Sequence, residues 1–190
     1  MNKKNYLLDL NNSKKPFIIY KSDKGFDLYT DFSKKIILNN NNIEKFINKN
    51  NRLRSPHKET DLFIGFFGYE ILNNLIEVKI KKQKTINFPK GIFYKPETKI
   101  KLSNNLEYNK TRSLNANDLF KININKKSYK KIFDKFKKKI KSGETYQIKI
   151  CTKYSNKSEI DALDFFSRLV KSNMAPEAFM IKDKDYSIIS

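Results

Sequence analysis

The sequence predicts an α+β chain, on three observations. Short runs rich in Ile, Phe and Tyr recur in the first hundred residues with turn residues between them, the pattern of strands. One later window, Tyr129–Ile140, carries its apolar residues at helical spacing. After a second helical window, the runs Phe179–Ile181 and Tyr186–Ile189 flank the polar turn Lys182–Asp185 as a hairpin. Together these predict antiparallel sheets packed with helices.

Along the chain, Pro16–Tyr20 (PFIIY) reads as a short buried strand and Asp27–Leu38 as a second strand region interrupted by polar residues. Asn39–Asn42 is a turn, Ile43–Ile47 a short helical piece, and Asn48–Thr60 a polar loop. Leu62–Tyr69 is apolar but contains Gly65 and Gly68, which in a strand imply close backbone approach or a bend. Ile71–Ile76 turns helical and Lys79–Asn87 is a solvated loop. Gly91–Tyr94 and Thr98–Leu102 read as two strands joined by Lys95-Pro96-Glu97. Ser103–Asp118, polar and Asn-rich, reads as an inter-domain linker and divides the chain into residues 1–118 and 119–190.

The second part is more regular. Tyr129, Ile132, Phe133, Phe136 and Ile140 form one apolar stripe, with Asn125 or Ser128 placed to cap the start. Lysines crowd the last turn, favourable at the negative end of the helix dipole, and Gly143 stands where a left-handed C-terminal cap is wanted. From Tyr146 the period becomes two, with Tyr146, Ile148 and Ile150 on one face and Gln147, Lys149 and Cys151 on the other. Ser158 with Asp161 resembles a capping box for a further helix that buries Leu163, Phe166, Leu169 and Val170.

Composition narrows the function. The chain has 190 residues, 38% of them hydrophobic, enough for a core. No stretch of 18 apolar residues predicts a membrane span, and the N-terminal apolar stretch Tyr6–Leu10 is too short for a signal peptide. The single cysteine, Cys151, excludes an internal disulfide and suits a reducing cytoplasm. The one histidine, His57, leaves no basis for a His-based metal site or triad. The net charge of +20 raises the question of a polyanion partner. Only four of the 40 basic residues are arginine, the group that bidentate phosphate and base recognition favours. Lysine scattered among Asn and Ile reads as a solvated surface, so neither a nucleic-acid nor a membrane partner is expected.

Two segments carry a resemblance. Gly65-Phe66-Phe67-Gly68-Tyr69-Glu70, followed by Phe88-Pro89 and Phe93-Tyr94, resembles the early motifs of the chorismate-using amination enzymes. Gly143-Glu144-Thr145-Tyr146-Gln147 resembles their helix-to-strand junction, and Asn173-Met174-Ala175-Pro176 their Asn-x-x-Pro element. The family comprises anthranilate synthase component I and aminodeoxychorismate synthase component I. The resemblance implies the N-terminal part of an anthranilate-synthase-component-I-like fold, incomplete at the C-terminus, where Tyr186–Ser190 stops short of the family's Ser-Pro-Glu element. It implies chorismate as substrate, a glutamine amidotransferase subunit as partner and source of ammonia, and Mg²⁺ as cofactor, with metal ligands beyond Ser190. No metal ligand is assigned within the chain, and 190 residues alone are expected to lack synthase activity.

Gln147 is the candidate catalytic position, one wall of the active site. Isochorismate-forming relatives have a lysine there that activates water; glutamine hydrogen-bonds but is no base at neutral pH. Ammonia is therefore expected over water. Ser22 and Pro176 match positions of a regulator or substrate pocket, but Lys21 replaces an acid and Glu177 an aromatic residue. A carboxylate in an indole pocket carries a desolvation cost, which favours the aminodeoxychorismate branch, or an anthranilate synthase without the usual feedback site, over a tryptophan-inhibited one. The competing expectations are a basic polyanion-binding module, for which the strand face lacks a stacking platform, and a non-catalytic subunit that scaffolds an amidotransferase.

Overall fold

A computed structural model of the chain describes residues 3–50, 59–76, 88–102, 106, 108, 120–157 and 160–190. The mixed α+β architecture is present. The chain divides into two units: residues 1–109 with 162–190, and residues 110–161.

The first unit is built on a six-stranded antiparallel sheet. Its strands in chain order are β1 (Phe17–Ser22), β2 (Gly25–Ile37), β3 (Ile64–Phe67), β4 (Gly91–Lys101), and two further on that are named below as β7 (Ala178–Lys182) and β8 (Ser187–Ile189). The spatial order is β3-β4-β2-β1-β7-β8. Strand pairing therefore does not divide at residue 118, because β7 pairs with β1 across the middle of the sheet.

Alternation along the strands sorts the side chains onto two faces. One face carries Phe17, Ile19, Phe26, Leu28, Leu102 and Met180. Two helices supply its cover: α1 (Lys3–Asn12) with Leu7 and Leu10, and a helix over Ala162–Ser172, α5 below, with Leu163 and Phe166. The other face carries Ile18, Tyr29, Ile92, Tyr94 and Ile181, packed with Tyr20, Phe32, Phe66, Phe179 and Tyr186. A third cluster joins Leu38 and Phe93 to Ile43 of α2 (Ile43–Asn50) and to Ile71, which closes a 3-10 turn before α3 (Leu72–Leu75).

Several expectations need correction. α1 was not foreseen; its Leu7 and Leu10 are buried, and Lys182 of β7 donates to Asn11 Oδ1 at 2.8 Å. Helix α2 runs to Asn50, three residues further than expected. The two strands expected around Pro96 are one, β4. Proline is tolerated there because β3 pairs with β4 only as far as Tyr94, and β2 bulges between Phe32 and Lys34, opposite Pro96. Asp31, just before the bulge, adopts φ 53°, a conformation aspartate accepts more readily than most residues. Phe32 packs in the same cluster as Tyr29, so the alternation of β2 is broken between them, where Asp31 sits.

Much of the expected linker, the 51–58 part of the polar loop, the solvated loop 79–87 and the cap Ser158 lie outside the described residues. Leu106 and Tyr108 do not behave as linker: both are buried, and the Ser167 hydroxyl donates to their carbonyl oxygens, each at 3.2 Å.

The second unit contains β5 (Lys121–Ile122), α4 (Lys126–Lys141) and β6 (Tyr154–Ser155). Of the two capping candidates, Asn125 caps α4: its side-chain oxygen accepts from Ser128 N at 2.8 Å. The helix ends as expected at Gly143, φ +77°. Gly143 N donates to Ile140 O at 3.1 Å and Glu144 N to Lys139 O at 3.0 Å, the paired bonds of a Schellman stop. The strand expected from Tyr146 is not formed. Residues 147–153 pair with no strand among the described residues, and the ladder with β5 begins only where Asn123 N donates to Lys153 O. The helix α5 (Ala162–Ser172) and the hairpin β7–β8 return the chain to the first unit as the sequence predicts.

Candidate functional site

The motif Gly65–Glu70 is placed by backbone approach. β3 pairs with the start of β4, and a Cβ on Gly65 would stand 1.9 Å from the Ile92 carbonyl oxygen, so only glycine fits. Gly68 N donates to Lys90 O at 2.7 Å and turns the chain into the helical residues that follow. Tyr69 and Glu70 are exposed. The motif is thus a packing element with a polar end facing solvent.

The structure brings together two sequence-predicted residues that lie far apart in the chain. Ser22 ends β1 at the turn to β2, where its hydroxyl accepts from Lys24 N at 3.2 Å. Pro176 lies in the connection from α5 to β7, which pairs with β1. Lys21 joins them: its Nζ donates to Ala175 O at 2.6 Å and contacts Pro176 O at 3.4 Å. Beside it Tyr20 hydrogen-bonds Glu177, which, with burial, raises the tyrosine's pKa above its ordinary value. Both departures from the family pattern, Lys21 and Glu177, therefore have partners within the chain. Glu177 is exposed, so its carboxylate carries little desolvation cost where it stands.

Gln147 lies in the other unit, in the unpaired segment after α4. Its side chain is exposed, and its carbonyl accepts from Thr145 Oγ1 at 3.1 Å. The exposure alternation expected from Tyr146 persists in part: Ile148 and Ile150 are half-buried, while Gln147, Lys149 and Cys151 are exposed.

Sequence reading missed the most concentrated polar cluster. Asp183, nearly buried in the β7–β8 turn, accepts from Lys35 of β2, Tyr94 of β4 and Tyr186, the last at 3.0 Å. Its other oxygen accepts from Lys184 N at 2.7 Å, and the two tyrosine hydroxyls lie 2.9 Å apart. Burial would raise the Asp183 pKa, but these donors outweigh it and hold the carboxyl down at about 2. Burial and Asp183 together push Tyr186 up to about 12, against a lowering hydrogen bond from Tyr94, while Tyr94 is raised further still. A carboxylate saturated with donors is neither a base nor a free metal ligand; the cluster ties the hairpin to β2 and β4. Only the turn position of Asp183 was visible in sequence.

Among the described residues no group of three His, Cys, Asp or Glu is placed to hold a metal ion, so these residues do not fit a Mg²⁺ site. No helix among them is long and apolar enough to cross a membrane.

Comparison with known proteins fits this geometry. A family model described as chorismate binding enzyme matches residues 3–190. The chain is also 33% identical over 92 residues to anthranilate synthase component 1 of Buchnera aphidicola subsp. Pemphigus spyrothecae. That stretch is 48% of this chain and 17% of the relative, so the chain spans well under two thirds of the curated relative it matches. With nearly its whole length matched, from the first helix through the Asp183 hairpin, the chain belongs to the chorismate-binding enzyme family.

Proposed function

We propose that the chain is part of a synthase component that aminates chorismate with ammonia, in the aminodeoxychorismate branch, with a glutamine amidotransferase as ammonia source and Mg²⁺ as the cofactor of the whole enzyme. Gln147 carries the amination reading. It offers the reacting centre an amide that donates and accepts hydrogen bonds and takes up no proton at neutral pH, so water is not activated there. The engagement of Lys21 with Ala175 and Pro176, and of Glu177 with Tyr20, supports the branch: these groups fill their own hydrogen bonds and leave no acid and aromatic pair for an indole amino acid.

The test is a chimera in which this chain replaces the matching part of the Buchnera relative, assayed for chorismate consumption with ammonium and Mg²⁺. The expected result is ammonia-dependent amination insensitive to L-tryptophan, and a loss of at least about tenfold in Gln147→Lys. Isochorismate as the product of the unaltered chimera would overturn the amination reading. The relative's name favours a second reading, anthranilate synthase component I. Anthranilate as product, with inhibition by L-tryptophan, would establish that reading instead.

A further inference from the structure

Lysine occurs in every inner strand of the six-stranded sheet and in neither of its edges. β1 carries Lys21, β2 Lys34 and Lys35, β4 Lys95, Lys99 and Lys101, and β7 Lys182. The edge strands β3 and β8 carry none. Charged side chains, lysine above all, are what guard an edge against pairing with another chain, so a lysine-rich chain with bare edges presents them for pairing. β3 is the more open of the two. Phe67 is 51% exposed and Tyr69, just beyond the strand, 71%, whereas Ile188 and Ile189 of β8 are half-buried. The backbone of β3 faces two ways. Gly68 N donates to Lys90 O at 2.7 Å, so alternation turns the polar groups of Ile64 and Phe66 toward β4 and those of Gly65 and Phe67 outward. Among the described residues no strand lies beyond them.

We propose that β3 is a dimerisation edge, and that its occupant is β3 of a second copy of this chain, joined antiparallel about a two-fold axis at Phe66. In that register Gly65 of each copy stands opposite Phe67 of the other, and the two exchange both of their outward N–H···O bonds, as a hydrogen-bonded pair does. The exposed Phe67 ring then lies beside the bare Cα of Gly65, where no side chain competes for the space. Charge permits the contact. Residues 59–76 hold Glu59, Asp61 and Glu70 and no lysine or arginine. Asp61 pairs with Lys95 at 3.2 Å and Glu59 with Lys99 at 3.5 Å, so this edge is close to neutral in a chain of net charge +20. A two-fold contact here sets no strand lysine against its own image, which a contact through β2 or β4 would do. A basic partner needs an uncompensated acidic patch, and the two ion pairs remove it. A docked helix would leave the outward N–H and C=O groups of Gly65 and Phe67 without partners. The paired run is short, so the dimer is weak, with a Kd on the order of 10 μM.

Sedimentation velocity on the full chain tests this. Between about 1 and about 100 μM the mass is expected to rise from monomer toward dimer. Phe67→Lys sets the missing guard on the edge and should weaken the dimer by about tenfold or more, with far-UV circular dichroism unchanged. Cysteine cross-linking in a Cys151→Ser background reads the register without relying on that variant. Phe66→Cys places the two thiols on the two-fold axis, in a non-hydrogen-bonded pair with Cα atoms about 4.5 Å apart, and should close a disulfide-linked dimer. Phe67→Cys stands two residues out of step with its own image and should not. A chain that stays monomeric throughout, a dimer that survives Phe67→Lys, or cross-linking at position 67 as fast as at 66 would overturn the proposal. So would a chimera that is monomeric over the same concentrations, which would give the edge to the rest of the synthase. None of these readouts depends on the reaction the chimera performs.

Discussion

The helices α4 and α5 were read from the same kind of pattern and ended in opposite circumstances. α5 buries Leu163 and Phe166 completely against the sheet and sends the Ser167 hydroxyl to the carbonyls of Leu106 and Tyr108. α4 is the longer helix and is capped at both ends, yet leaves Tyr129, Phe133 and Ile140 exposed. Periodicity states that a helix has an apolar face; what covers the face is decided by other segments. The first unit supplies that cover from the six-stranded sheet. Among the described residues the second has two strands of two residues each, too small a sheet to stabilise a helix alone.

The sharpest way to break this comparison is to truncate each helix. Phe166→Ala removes a ring with no exposed surface and should cost about 3–5 kcal/mol, read as a lower urea midpoint of the first unit. Phe133→Ala on α4 should cost under about 1 kcal/mol in the urea midpoint of the second unit, because that residue is about half exposed. Equal losses would mean that α4 is covered after all.

A second substitution probes the backbone of the sheet. Gly65→Ala places a methyl 1.9 Å from the Ile92 carbonyl oxygen, so β3 must move off β4. The expected cost is about 2–3 kcal/mol in urea denaturation, with the loss confined to the first unit. An unchanged midpoint would show that β3 contributes little.

Third in size is the Asp183 cluster, which gives the first unit an acid-sensitive contact. The folded-state pKa lies at about 2, below the ordinary 3.8, so the carboxylate stabilises the fold above pH 3.8. That contribution fades as the pH falls through the folded value of about 2. Allowing for solvent around Lys35, it amounts to about 1–2 kcal/mol. In Asp183→Asn, stability should be lower at neutral pH and its decline between pH 4 and 2 shallower, as followed by thermal melts. A decline of unchanged steepness would place the acid sensitivity elsewhere.

What was legible in the sequence follows the range of the interaction. Local signals held: the Asn125 cap, the Gly143 stop, the β7–β8 turn, and the close approach at Gly65 all depend on neighbours or on the absence of a Cβ. The misses depend on distant partners. α1 carries only Leu7 and Leu10 as buried apolar residues, too few to set a period, and with the buried Asn11 it forms against β7 and Tyr108. Pro96 looked like a strand end because a proline removes a ladder donor, and only the bulge opposite it in β2 and the short reach of β3 make it tolerable. Asp183 looked like a turn residue, and its donors Tyr94 and Lys35 lie 89 and 148 residues away in sequence. At the candidate site, Ser22 and Pro176 were singled out separately, while the lysine between them that joins their segments emerged only from the fold.

The smallest effects show what α4 owes to its own caps. Asn125→Ala removes the one side-chain acceptor at the helix start, and Gly143→Ala forces a Cβ into φ +77° with no clash around it. Each should cost about 1 kcal/mol, seen as faster amide exchange at the affected end of α4 and little change in the urea midpoint of the first unit. Unchanged exchange at both ends would show that the caps contribute little to α4.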